Sequence, residues 1–199
     1  MKYYIDIKLL GDTEITLGFI WQKVYSEVHL ALVRQKDNDE MIGLGLSLPN
    51  YNQSFPLGDT IRLFAQTKEE LTALKIEERL KKFVDYLNIE SIKEVPNDIK
   101  TYVTFSRKRF KSNAEIRRLA KRYAKRNNIS EEEALAEYTL TEEKYTKLKE
   151  KNKLPFINIK STSTNQFLKV FIEKKEMDKE EIGKFNTFGL SKTSTVPWF

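Results

Sequence analysis

The sequence has 199 residues, 40% of them hydrophobic and 32% charged, with 12 Phe, 9 Tyr, 2 Trp, one His and no Cys. That length suits one large domain or two small ones sharing a core, and charges of both signs argue against general disorder. Without cysteine there can be no disulfide or thiolate metal site. The start lacks a signal-peptide pattern and no apolar run approaches membrane length, so a soluble intracellular protein with no membrane partner is expected.

Tyr3, Ile5, Ile7 and Leu9 alternate with Tyr4, Asp6, Lys8 and Leu10, which predicts a strand. A helix is predicted from Leu17 to Arg34, with an apolar stripe of Leu17, Ile20, Val24, Val28 and Ala31. Ile42, Leu44, Leu46 and Leu48 alternate with small residues as a second strand, and Thr60–Gln66 reads as a third. Thr67 and Glu70 form a capping box that opens a helix carrying Leu71, Leu74, Leu80, Phe83 and Leu87. A β-rich stretch over Thr101–Phe105 completes the order βαββαβ. The predicted class is α+β: a ferredoxin-like domain over 1–98, then a second α+β domain over 99–199.

In that second part, Ser112 with Glu115 and Ser130 with Glu133 make two more capping boxes, the first opening a helix to about Arg126. Phe156–Lys160 and Leu168–Glu173 are strand-like, with Ser161–Gln166 a polar turn between them. The aromatic pair Trp198-Phe199 is expected to dock on the body of the protein.

The net charge of +6 is unevenly spread. Arg107–Arg126 holds six Arg and four Lys against the single acid Glu115, a local +9 that leaves −3 for the rest. On a helical wheel Ile116, Leu119, Ala120 and Tyr123 share one face, and Arg118, Lys121, Arg122 and Lys125 the opposite one. A solvated helix usually intersperses both signs of charge, so a cationic face with almost no acids points to phosphate contact. Lys111, Arg117 and Arg126 join the candidate phosphate-binding set. If the segment before the helix is extended, Arg107 and Arg109 point to one side. Such a pair could grip the O6/N7 edges of guanines or simply contact phosphates.

His29 lies off the apolar stripe of its helix, with Tyr25 one turn earlier on the same side. It reads either as an ordinary exposed histidine or as a catalytic group titrating near neutral pH. One histidine and no cysteine argue against zinc, a carboxylate magnesium site stays open although no clustered Asp/Glu motif points to one, and no cofactor is expected. An RNA substrate brings its own nucleophile, the 2′-OH. A metal-free site would then need a base or acid, for which His29 qualifies, and hydroxyls such as those of Ser161, Thr162, Ser163 or Thr164 to hold the ribose.

These residues together carry a resemblance. Val28-His29-Leu30-Ala31-Leu32-Val33, Lys111-Ser112-Asn113, Ser161-Thr162-Ser163-Thr164-Asn165-Gln166 and Phe188-Gly189-Leu190-Ser191-Lys192 through Val196-Pro197-Trp198-Phe199 occur in order along nearly the whole chain. In them the sequence resembles the repeat-processing endoribonuclease of type I-F CRISPR systems. The resemblance implies a ferredoxin-like domain and a second domain with an arginine-rich helix. It implies metal-independent cleavage at the 3′ base of a CRISPR repeat hairpin, a 2′,3′-cyclic phosphate product and retention of that product. It also implies a prokaryotic cytoplasmic protein, a monomer on its RNA, that joins the subunits of an RNA-guided surveillance complex. The family's catalytic histidine falls on His29, its ribose-constraining serine on Ser161, a supporting serine on Ser163 and its base-reading pair on Arg107 and Arg109.

Three positions depart from that pattern. Arg109 stands where the family has glutamine, which implies a different base at that stem position, since arginine suits guanine and glutamine adenine. Phe188 stands where an active-site tyrosine is expected. The aromatic that stacks on a base falls on Leu168, with Phe167 beside it. A catalytically silent RNA-hairpin-binding protein is the competing reading.

Overall fold

The structure, a computed structural model, describes residues 1–53, 55–111, 113–140, 153–160 and 165–199, with the side chains of 113 and 138–140 excepted. The chain packs as two compact units, Met1–Arg107 with Pro155–Phe199, and Lys108–Leu154. Packing thus groups residues 99–107 and 155–199 with the first unit. Both α and β elements are present, and among the described residues no helix is long and apolar enough to cross a membrane.

The first unit begins with β1 (Tyr3–Leu9), α1 (Leu17–Val33), β2 (Met41–Ile42), β3 (Gly45–Ser47) and β4 (Thr60–Ala65). Next come α2 (Lys68–Ala73), α3 (Ile76–Leu80), a 3-10 turn (Lys81–Tyr86), β5 (Leu87–Ile89), β6 (Lys93–Glu94) and β7 (Tyr102–Lys108). The antiparallel sheet runs β3-β4-β1-β5, with β6 also on β1. Ile5, Ile7 and Leu9 of β1 pack with Ile20, Val24 and Val28 of α1 in the main core.

The other face of β1 is also covered. Asp6 lies directly opposite Arg62, and Tyr4 opposite Phe64. The Arg62 guanidinium grips both Asp6 carboxylate oxygens at 2.7 Å and donates to the Phe199 main-chain oxygen at 3.0 Å. It also lies over the rings of Tyr4 and Phe199, 4.5 and 4.2 Å from their centroids. Trp198 docks as well, under the Lys174 ammonium and against Phe105. The terminal aromatic pair therefore seals a face that would otherwise expose a buried ion pair, as its composition suggested.

Several expected elements are divided. The strand expected over Ile42–Leu48 is two short strands with different partners, β2 on β10 (Phe185–Asn186) and β3 on β4. The helix opened by the Thr67–Glu70 capping box forms with both box bonds in place. It then breaks at Lys75, whose φ of 49° is left-handed, and Leu87 lies in β5. The fourth strand of the first sheet is β5, not the 101–105 stretch. That stretch, β7, belongs to a second sheet with β8 (Phe156–Lys160), β9 (Phe167–Met177) and β11 (Val196–Pro197), ordered β11-β7-β9-β8. Short strands of similar composition carry no label for their sheet, so tertiary pairing decided these points.

The second unit contains α4 (Asn113–Asn127) and α5 (Glu131–Leu140). They meet through Ala120, Ala124 and Ala134, with Ile129 and Leu135 beside them. The Ser130–Glu133 capping box opens α5 as expected. Ser112, the cap expected for α4, lies outside the described residues.

Candidate active site

The site begins with the pitch of α1. Residues 25 and 29 are four apart, so their side chains leave one face of the helix about a turn apart. The buried face of α1 is wider than its aliphatic stripe, because Trp21, Tyr25 and Leu32 are buried as well. His29 therefore stands at the margin of the core, half-buried, rather than out in solvent. The cause is a second layer on that side of α1: the turn after β10.

That turn is fixed many times over. Asn186 accepts on its side-chain oxygen from Phe188 N at 2.9 Å and Leu190 N at 3.3 Å. The Asn186 and Gly189 amides close it through the Leu190 and Asn186 carbonyls, and Leu46 N of β3 donates to Gly189 O. Gly189 has φ +72°, a left-handed conformation, and a Cβ there would meet Leu46 Cβ at 2.8 Å. Only glycine suits both demands.

From this turn two consecutive carbonyls reach α1. Thr187 O is 2.9 Å from His29 Nδ1, and Phe188 O accepts from the Tyr25 hydroxyl at 3.0 Å. A carbonyl oxygen can only accept, so Nδ1 carries the proton of the neutral imidazole and Nε2 keeps its lone pair. The Phe188 ring stacks on the imidazole with centroids 4.3 Å apart and planes 6° from parallel. The Arg107 guanidinium lies 5.0 Å from the centroid of Phe188. Burial holds the pKa of His29 below its ordinary value. The Thr187 carbonyl opposes that shift, and the positive charge of Arg107 adds to it. Burial likewise raises Tyr25 far above the ordinary phenol range, with Arg107 opposing. The arrangement is an oriented neutral imidazole with a basic nitrogen, beside a fixed cation.

Of the residues singled out by sequence, the structure brings together His29, Phe188 and Arg107. Phe167 and Leu168 are exposed at the start of β9, paired with Lys160 and Ile159 of β8. Ser161 and Ser163, with Thr162 and Thr164, lie outside the described residues. Strand β7 ends at Lys108, one residue before Arg109. Among the described residues, no three His, Asp or Glu side chains converge as metal ligands would.

In the second unit, Lys111, Arg117, Arg118, Lys121, Arg122, Lys125 and Arg126 are all exposed. Two details differ from the helical wheel. Tyr123 is 37% exposed and donates to Glu137 at 3.1 Å, and Ala124 takes its place in the buried seam. Lys121 pairs with Glu131 of α5 at 3.2 Å. Acids sparse within α4 are thus supplied by the helix packed on it.

Sequence reasoning missed Thr187 and the use made of Tyr25. Thr187 acts through its backbone carbonyl, which leaves no trace in residue type. Tyr25 did leave one, a polar-tipped aromatic one turn from the histidine.

A family model described as CRISPR-associated protein (Cas_Csy4) matches residues 4–199. A CRISPR-associated endonuclease Cas6/Csy4 of Escherichia coli (strain UTI89 / UPEC) is 32% identical over 200 residues, covering 100% of both chains. A protein of the same description from Pseudomonas aeruginosa (strain UCBPP-PA14) is 32% identical over 201 residues, again covering 100% of both.

Proposed function

The chain belongs to the Cas_Csy4 family of CRISPR-associated proteins, and from that premise we propose that it is an endoribonuclease that processes CRISPR RNA. The observation that carries the reading is the bond between His29 Nδ1 and Thr187 O, which leaves Nε2 as a base. In the proposed reaction Nε2 takes the proton of the 2′-OH. The O2′–phosphorus bond forms and the phosphorus–O5′ bond breaks. The products are a 2′,3′-cyclic phosphate and a 5′-hydroxyl, which takes up one proton. The substrate supplies the nucleophile, so the step needs no metal. The hydroxyls of Ser161 and Ser163 are proposed to hold the ribose in line, as the family resemblance implies.

The substrate is proposed to be the hairpin of a CRISPR repeat, cut at its 3′ base. Residues 1–98 would form the ferredoxin-like domain, a reading supported by the order β3-β4-β1-β5 and the helices between its strands. Residues 99–199 would bind RNA: α4 through phosphates, Arg107 and Arg109 through guanine edges at the open end of a short stem, where the A-form groove is accessible. Retention of the product, monomeric binding and entry into a surveillance complex belong to the same proposal.

The test is incubation with repeat RNA in EDTA. A cut leaving a cyclic phosphate is expected, and a 2′-deoxy sugar before the scissile phosphate should abolish cutting while leaving binding intact. Tight binding without cleavage would favour a silent hairpin-binding protein, and cleavage of the deoxy substrate at that bond would exclude 2′-OH attack.

A further inference from the structure

The turn over residues 186–190 has its internal shape fixed by Asn186 and Gly189, and it is tied to β3 through Leu46. Those bonds say nothing about its distance from α1, which carries the histidine. A hydrogen bond of 2.9 Å tolerates only a few tenths of an ångström of drift before it weakens. Something must hold the turn against that helix.

Tyr25 is placed to do so. It is fully buried, its ring lies against Trp21 with centroids 6.3 Å apart, and its hydroxyl meets the carbonyl next to the one that binds His29. Two polar ring atoms, one helical turn apart, thus engage two consecutive carbonyls. The family resemblance expects a tyrosine at position 188, where this chain has phenylalanine. The hydroxyl absent from the ring at 188 is matched by one that reaches the backbone of 188 from α1.

We infer that Tyr25 is a positioning residue for His29: its hydroxyl pins the Phe188 carbonyl and thereby holds Thr187 O where it selects the Nδ1–H tautomer. The inference rests on the reading of His29 as the base. Removing the hydroxyl leaves the Phe188 carbonyl without this donor inside the protein, and the turn must shift or admit water to satisfy it. Either change loosens the Thr187 bond and the Phe188 stack together. The imidazole then samples the other tautomer, in which Nε2 carries the proton and cannot accept one.

Because His29 is the single histidine, its ring signals in a nitrogen-15 NMR spectrum are unambiguous. The wild-type protein near neutral pH should show the Nδ1–H tautomer alone; a dominant Nε2–H form there would overturn the inference with no variant needed. Tyr25→Phe should show a mixture of tautomers. Its single-turnover cleavage rate should fall about tenfold, as expected for a reacting group set loose by a fraction of an ångström. Affinity for a 2′-deoxy repeat RNA should stay within about twofold, since RNA contacts are not altered. Tyr51→Phe is the matched control. It removes another hydroxyl-to-carbonyl bond, to Ile172 at 2.8 Å, and should lower stability while leaving the His29 signals in place. A single Nδ1–H tautomer in Tyr25→Phe would overturn the inference, as would equal tautomer mixing in Tyr51→Phe. Failure of the wild-type protein to cut would overturn the nuclease reading alone, because the tautomer measurement needs no RNA.

Discussion

In the first unit, the histidine sits at the edge of a large core and is held by a ring stack and a carbonyl from a turn that is 158 positions away in sequence. In the second, six cations of α4 stand exposed, and the fully buried part of the seam beneath the helix is three alanines. Residues Lys108–Leu154 carry 14 Lys and Arg against eight Asp and Glu, so the whole net charge of +6 resides there and the first unit is neutral. The contrast is one between orientation and field. A proton-transfer group must be placed within fractions of an ångström, which requires packing. A phosphate-binding surface needs charge density, which tolerates side-chain motion and is weakened by salt.

The contrast breaks most sharply at His29. Replacement by alanine should slow cleavage about a hundred- to ten-thousandfold, the usual worth of a positioned acid or base, while affinity for repeat RNA is unchanged. Single-turnover kinetics beside a binding titration measure both, and wild-type cleavage would remove the histidine from the mechanism. Next in size is Arg62→Ala, which strands the Asp6 carboxylate in a buried site and should cost about 3 kcal/mol of stability. Thermal unfolding reads that loss. The cleavage rate below the unfolding range should survive, since Arg62 supports the sheet and not the imidazole. An unchanged melting temperature would mean that the pair contributes nothing net.

Protonation sharpens the same distinction. His29 is a base only when neutral, so activity should fall as pH drops through its pKa, and burial places that midpoint below the ordinary value of 6.5. Cleavage at subsaturating RNA, which reports the free protein, should thus be flat near pH 7 and decline only under more acid conditions. The direction is the same for stability: the unfolded chain binds the proton more readily, so acid weakens the fold through this group. A midpoint above 6.5 would contradict the burial argument. For the second unit the matching variable is salt. Arg118→Ala with Arg122→Ala should flatten the slope of log affinity against log salt by about two, roughly one for each phosphate that is no longer neutralised, without slowing the cleavage of bound RNA. An unaltered slope would take these two arginines out of the interface.

The two regions also differ in how much of them sequence could tell. The alternation of Ile5, Ile7 and Leu9 and the Thr67–Glu70 and Ser130–Glu133 boxes are local patterns that appear in the structure, and the cations read onto α4 are exposed there. Which sheet takes β7, and where the Ile42–Leu48 stretch divides, depend on partners far along the chain. Gly45 illustrates the point: a Cβ there would approach Val196 and Phe185, neither of them near it in sequence. His29 was legible as a candidate through its helical phase and its uniqueness. Its orientation was not, because the atom that sets it is a backbone oxygen. Arg107 was assigned to base reading from the resemblance. Its place over Phe188, where its charge acts on the histidine, became visible only in three dimensions.

The smallest expected effect probes the boundary between fold and field in the second unit. Glu131 lies 3.2 Å from Lys121, and both side chains are mostly exposed. Exposed pairs contribute little to stability, because water screens them and two long side chains must be held still. The carboxylate nevertheless cancels one cation on the face proposed for phosphates. Glu131→Gln keeps the side chain's size and leaves the Ser130–Glu133 capping box intact. The melting temperature should therefore stay where it is. Affinity for repeat RNA should rise about two- to threefold at low salt, with the gain fading as the screening length shrinks below the spacing of the charges. Tighter binding that persists at high salt would point to a direct contact freed by the change. Unaltered binding at low salt would mean that Lys121 faces away from the RNA, leaving the remaining cations of α4 as the phosphate surface.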